Sequence, residues 1–169
     1  MFTAVSYPTD QQEMYALLVK QAKALMEGER NPLPHMANLS ALLYNALPEV
    51  NWVGFYLNMG QSLMLGPFSG NPACIRIQKG RGVCGTAWAT MQTQRVDDVH
   101  SFPGHIACDS ASQSELVIPL CHHGEVLAVL DIDSPKKNRF NQLDEENLTQ
   151  LLKEFKLGCD LDFFHKVRE

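Results

Sequence analysis

Two apolar runs joined by a short turn constrain this chain more than any other feature. Leu116-Val117-Ile118-Pro119-Leu120-Cys121 leads into His122-His123-Gly124, and Glu125-Val126-Leu127-Ala128-Val129-Leu130-Asp131-Ile132-Asp133 returns. Aliphatic runs of this length on either side of a glycine-containing turn predict an antiparallel hairpin. A lone hairpin is marginal in water, so neighbouring strands and covering helices have to come from the rest of the chain.

Both are legible. From Asp10 to Glu27, the residues Met14, Leu17, Leu18, Leu25 and Met26 recur at roughly helical spacing, with Asp10 as N-cap and Gly28 as the stop. Asn31-Pro32-Leu33-Pro34 interrupts the pattern, and a second short helix is expected from Met36 to Leu47, ending before Pro48. Asn51 to Leu57 alternates bulky residues and Ser62 to Leu65 follows a turn at Met59-Gly60-Gln61, which predicts a second hairpin. Gly66 to Gly85 reads as connecting segments around at most a short strand at Cys74 to Ile77. A helix is expected from near Gly82 through Ala87-Trp88-Ala89, a strand at Arg95-Val96, and a long binding loop from Asp97 to Ser114. Leu148, Leu151, Leu152 and Phe155 share one face of a closing helix from Leu143 to Leu157. The sum is one α+β domain over residues 1–169, a central antiparallel sheet with helices at both ends. With 45% of its 169 residues apolar, the chain has the material for one such core.

The formal net charge of -5 is spread along the chain, leaving no basic patch to recommend nucleic acid or an anionic membrane as a partner. Met1-Phe2-Thr3-Ala4-Val5 lacks the basic start of a secretion signal, and no stretch approaches the roughly eighteen apolar residues of a membrane span. A soluble cytoplasmic protein is expected.

Five cysteines, an odd number, leave at least one thiol free. Cys121 ends an apolar strand and Cys159 ends the last helix, so both read as packing residues. Cys74, Cys84 and Cys108 lie beside Gly, Pro or polar loop residues, where a thiol stays accessible to chemistry. Structural zinc favours closely paired ligands, whereas these three are separated by nine and twenty-three intervening residues, with His105 the one nearby imidazole. Neither a metal nor an organic cofactor is expected.

Asp131 and Asp133 stand two apart on a strand and so leave the same face. Glu115 enters the partner strand within about one residue of facing them; a one-residue slip turns it away, and Pro119 permits a bulge, so its face stays open. Carboxylates at the end of an aliphatic sheet are costly to bury unless a cation or a shared proton compensates them, and a ligand ammonium does so. Trp52 and Tyr56, four apart on one strand, share a face that fits either a core or the wall of a pocket for a methyl group.

Read together, Asn51-Trp52-Val53-Gly54-Phe55-Tyr56, Gly66-Pro67-Phe68, Pro72-Ala73-Cys74-Ile75-Arg76-Ile77, Gly82-Val83-Cys84-Gly85, His105-Ile106-Ala107-Cys108-Asp109-Ser110 and Asp131-Ile132-Asp133-Ser134-Pro135 resemble the free methionine-R-sulfoxide reductases. The resemblance runs from the first helix to the last and includes the order and spacing of three cysteines and three acids. It implies a GAF-like fold, with the terminal helices packed on one face of the sheet and a ligand pocket on the other. It further implies a homodimer, thioredoxin as reductant, Cys108 as catalytic nucleophile, and Cys74 and Cys84 as resolving thiols.

On that reading, the Cys108 thiolate attacks the sulfoxide sulfur of free methionine-R-sulfoxide, methionine leaves, and a sulfenic acid remains. A resolving thiol then closes a disulfide. The sulfoxide oxygen needs a proton as attack proceeds, which falls to Glu115 or Asp133, while Asp131 and the acid that stays charged bind the ammonium. Trp52 and Tyr56 line the methyl side. The rival is a GAF-like sensor domain that binds a small molecule without chemistry; it needs no loop cysteines and ordinarily accompanies an output domain.

Overall fold

The computed structural model describes residues 6–104 and 110–168. Cys108 and its motif residues 105–109 lie outside them.

The expected hairpin forms the centre of the fold. Strands β5 (Ser114–His122) and β6 (Glu125–Ser134) pair antiparallel from Ser114↔Ser134 to His122↔Glu125, with a register shift between Leu120 and Cys121. On the other side of β6 lies β1 (Trp52–Asn58), followed outward by β2 (Leu63–Gly70) and β3 (Arg76–Ile77), while β4 (Gln94–Val96) borders β5. The sheet order is β3-β2-β1-β6-β5-β4, and every pairing is antiparallel.

Strand β2 runs beyond the expected end at Leu65, through Gly66-Pro67-Phe68. The register shift between Gly54 and Tyr56 absorbs the irregular stretch, and Gly66 fits because a Cβ there would stand 2.9 Å from the Phe55 carbonyl oxygen. Strand β3 is shorter than expected and leaves Cys74 in the connection before it.

Helices α1 (Gln11–Met26), α2 (Pro32–Ala46) and α4 (Gln142–Gly158) cover one face. Asp10 caps α1 by accepting from the Glu13 amide at 2.9 Å, as its position predicts. Helix α2 begins four residues earlier than expected, because Asn31 caps the Leu33 amide at 3.0 Å and Pro32 occupies the first turn, where a missing N–H is harmless. Leu18, Leu39, Leu43, Leu148 and Phe155 from these helices meet Val53, Phe55, Leu116, Leu130 and Ile132 from the sheet in the larger core. One buried carboxylate ties the helical layer together: Asp144 accepts from Tyr15 Oη at 2.6 Å, Gln11 Nε2 at 2.8 Å and Arg139 Nη1 at 3.0 Å.

The opposite face carries a smaller core in which α3 (Gly82–Thr90) packs on the sheet through Val83, Cys84, Ala87 and Trp88, against Trp52, Tyr56, Val117 and Val129. A short α5 (Phe163–Lys166), too brief to show periodicity, follows α4. The α+β architecture with terminal helices on one face is therefore observed, and the other face is left to α3 and the site. Among the described residues, no helix is long and apolar enough to cross a membrane.

Candidate active site

The register of three strands brings the acids together. Glu115 on β5 lies directly opposite Asp133 on β6, and Val117 lies opposite Asp131. Trp52 on β1 lies opposite Asp133, and Gly54 opposite Asp131, from the other side. Directly paired residues project to the same face, so Glu115, Asp131, Asp133, Trp52 and Tyr56 all leave the sheet toward α3. The open question of which way Glu115 points is thus resolved toward the aspartates, because the bulge in this hairpin falls near Cys121, beyond Glu115.

Trp52 is buried and stacks on Phe68 at 5.4 Å and on Tyr56 at 5.9 Å between ring centroids. Its indole N–H donates to the Asn71 carbonyl at 3.0 Å, and Tyr56 donates its hydroxyl to the Cys74 carbonyl at 3.0 Å. The polar tips are therefore committed to the β2–β3 connection, and the ring faces remain to form an apolar wall. Gly54 makes this arrangement fit: a Cβ there would stand 2.4 Å from the Phe68 Cβ and 2.5 Å from the Trp52 ring.

Glu115 and Asp131 are buried, at 7% and 6% exposure, and Asp133 is half-buried. Burial, then the neighbouring charges of Asp131 and Asp133, push the Glu115 carboxyl well above the usual carboxylate range. Asp131 is also raised by burial, a shift that hydrogen bonds with Cys84 and Glu115 oppose. One Asp131 oxygen, Oδ1, is buried without a hydrogen-bond partner among the described residues. No ion pair among the described residues reaches Glu115 or Asp131. Such a cluster holds a proton near neutral pH and attracts a cationic guest.

Cys84 stands in the first turn of α3, with its Sγ 3.9 Å from Glu115 Oε1. It is 3% exposed, and burial followed by the charges of Asp131 and Glu115 raises its thiol pKa. The expected position of Cys84 in an accessible loop is corrected here: it is helical and buried. The glycines that suggested a loop start the helix instead, since Gly82 adopts φ +62° and a Cβ at Gly85 would stand 2.3 Å from the Gln78 carbonyl oxygen. Cys74 is half-buried in the loop and disulfide-bonded, whereas Cys84, Cys121 and Cys159 are free.

The model of the GAF domain matches residues 12–155. The free methionine-R-sulfoxide reductase of Escherichia coli K12 is 54% identical over 140 residues, which span 83% of this chain and 85% of that protein. The chain belongs to the free methionine-R-sulfoxide reductase family.

Two solved structures of the same family extend the match over nearly the whole chain. The free methionine-R-sulfoxide reductase of Neisseria meningitidis, solved in complex with its substrate, superposes with a TM-score of 0.89 at 36% identity, covering 98% of this chain and 99% of that one. The fRMsr of Staphylococcus aureus, also solved with substrate, gives 0.83 at 45% identity over 94% of this chain and 100% of that one. This chain is accordingly an oxidoreductase of the free methionine-R-sulfoxide reductase type.

Of the residues singled out in the sequence of this reductase, Trp52, Tyr56, Cys84, Glu115, Asp131 and Asp133 converge on one face, and Cys74 touches the group through its carbonyl. Gly54 and Phe68, which shape the indole site, were seen only as parts of motifs. The signal that marks Gly54 is a glycine in mid-strand between two aromatics, which points to a close approach.

Proposed function

We propose that this reductase reduces free L-methionine-R-sulfoxide to methionine in one buried pocket on the α3 face of its sheet. The observation that carries the reading is the register that sets Glu115, Asp131 and Asp133 on the same face as Trp52, with no described Lys or Arg paired to Glu115 or Asp131. An amino-acid ammonium supplies the missing charge, and Trp52 and Tyr56 offer the apolar wall that an S-methyl group needs. The two family members solved with substrate support the same ligand class.

In the reaction, the Cys108 thiolate attacks the sulfoxide sulfur, and the oxygen takes a proton from the acid cluster. Methionine departs with its sulfur reduced, and the oxygen stays on Cys108 as a sulfenic acid. A second thiol condenses with it, releasing water and leaving a disulfide, which a dithiol reductant such as thioredoxin returns to two thiols. Glu115 is the proton donor, because burial and then the charges of Asp131 and Asp133 raise its carboxyl well above the usual carboxylate range. Asp131 and Asp133 bind the ammonium, and backbone amides of the pocket loops take the carboxylate. Cys74 resolves first: it is half-buried in a loop and disulfide-bonded, while Cys84 lies buried behind Glu115 as a free thiol. Cys84 serves as the second resolving thiol.

The chain acts as one domain over residues 1–169, as a homodimer, in the cytoplasm. The test is turnover of free methionine-R-sulfoxide by the Cys108→Ser protein, expected to vanish, together with thiol titration of the fully reduced parent, freed of reductant before substrate is added and expected to lose two thiols per methionine formed. Parental turnover by Cys108→Ser, or no thiol loss, overturns the reading. Mapping the disulfide after one turnover checks the resolving thiol, and comparable turnover of a peptide-linked sulfoxide overturns the restriction to the free amino acid.

A further inference from the structure

Cys84, Glu115 and Asp131 present one sulfur and two carboxylate oxygens that lie within 4.8 Å of one another, all on buried side chains. We propose that these three residues form a site for a single zinc-class divalent ion, seated where the substrate ammonium binds, so that an ion there blocks the pocket. The blocking half of this rests on the substrate reading above; the ion site itself does not.

Donor chemistry selects the ion. Two carboxylates alone suit hard cations with many oxygen ligands, but one thiolate in a three-donor set favours a borderline ion such as Zn²⁺. Geometry agrees. On a tetrahedral zinc with bonds of about 2.3 Å to sulfur and about 2.0–2.2 Å to oxygen, a sulfur and an oxygen ligand end about 3.5 Å apart. Cys84 Sγ and Glu115 Oε1 already stand 3.9 Å apart. A shift of a few tenths of an ångström, within side-chain freedom, closes that side of the site.

An independent feature marks the place as made for a guest. Asp131 is 6% exposed, and its Oδ1 is buried without a hydrogen-bond partner among the described residues. A ligating ion satisfies that oxygen, takes the thiol proton's place on Cys84, and leaves a fourth position for water. The ammonium of a free amino acid draws on the same carboxylates, so ion and substrate exclude each other. Chain order did not reveal the site, because its donors come from α3, β5 and β6 and stand far apart in sequence.

The experiment uses the reduced full chain carrying Cys74→Ser and Cys108→Ser, which removes the other two thiols of the proposed chemistry, and Co²⁺ as a spectroscopic stand-in for zinc. One equivalent of Co²⁺ should give a thiolate-to-cobalt charge-transfer band in the near ultraviolet with the visible bands of tetrahedral cobalt. Cys84→Ser should abolish the charge-transfer band, Asp131→Asn should weaken binding at least tenfold, and Cys121→Ser should change nothing. A band that survives Cys84→Ser, or no band in the starting protein, overturns the site; Asp131→Asn at parental affinity does so too, even where Cys84→Ser fails to fold. Saturating free methionine sulfoxide should bleach the band, and a band it leaves intact overturns the blocking claim. The substrate reading fails separately, by undiminished turnover in Cys108→Ser.

Discussion

Glu115 shows what a buried acid does for and against this molecule. It is 7% exposed and faces two aspartates, so the folded chain keeps its carboxyl protonated far more readily than the unfolded chain does. Replacing it with glutamine keeps the shape and removes the need to hold a proton. Glu115→Gln should therefore raise stability near neutral pH by about 0.5–2 kcal/mol in urea denaturation while lowering kcat roughly a hundredfold or more, the usual scale of a lost general acid. A variant that is both less stable and fully active contradicts that assignment. Gly54 is the second residue on which the pocket turns. A methyl there meets the Trp52 ring and the Phe68 Cβ at 2.5 and 2.4 Å, and both belong to packed strands that cannot withdraw. Gly54→Ala should cost about 1–3 kcal/mol and raise KM for the sulfoxide more than it changes kcat, because it tilts the methyl wall without touching the acids.

Among the elements, α1 and α4 depend on each other through one side chain. Asp144 forms the capping box of α4 with Asn141, and it also accepts from Tyr15 and Gln11 of α1 and pairs with Arg139 at 3.0 Å. Its side chain is fully buried and that of Arg139 is 10% exposed, so removing the carboxylate strands a nearly buried guanidinium and a buried phenol together. Asp144→Ala should cost about 3–5 kcal/mol in equilibrium unfolding, well above a simple cap deletion of about 1 kcal/mol. A loss no larger than the cap value would show that the Arg139 and Tyr15 contacts contribute nothing. Helix α3 is built on a different principle. With no side-chain cap at Arg81, it begins by virtue of Gly82 and Gly85, which let the chain turn sharply and pass close to Gln78. That tight start is what carries Cys84 down onto Glu115.

For the molecule as a whole, the raised carboxyls set the direction in which pH acts on stability. Glu115 and Asp131 hold their protons more tightly folded than unfolded, so the folded state binds the excess protons and stability falls as pH climbs above the ordinary carboxylate value. The loss levels off once pH has passed the raised values. Thermal melts from pH 4 to pH 8 should show this decline for the parent, reduced in the Glu115→Gln protein; identical pH profiles would show that Glu115 does not titrate differently on folding. Saturating methionine sulfoxide should offset part of the loss, since a bound ammonium compensates the charges that the pocket otherwise avoids.

Local sequence determined a good deal: the central hairpin, the helix capped by Asp10, the terminal amphipathic helix, and the shared face of Asp131 and Asp133 all follow from patterns within a few residues. These are short-range effects of side-chain period and backbone capping. The extension of β2 through Gly66 and Pro67 was not legible, nor was the start of α2 at Pro32, because breaker residues are tolerated wherever a bulge or a first turn removes their cost. The side on which Glu115 lies, and the burial of Cys84 against it, were decided by strand register and by the docking of α3. The first depends on the pairing of Glu115 with Asp133 across the hairpin, and the second on a contact between residues 31 positions apart, Cys84 and Glu115, which no local pattern encodes. Sequence supplied the chemical groups, and packing chose which of them share one enclosed space.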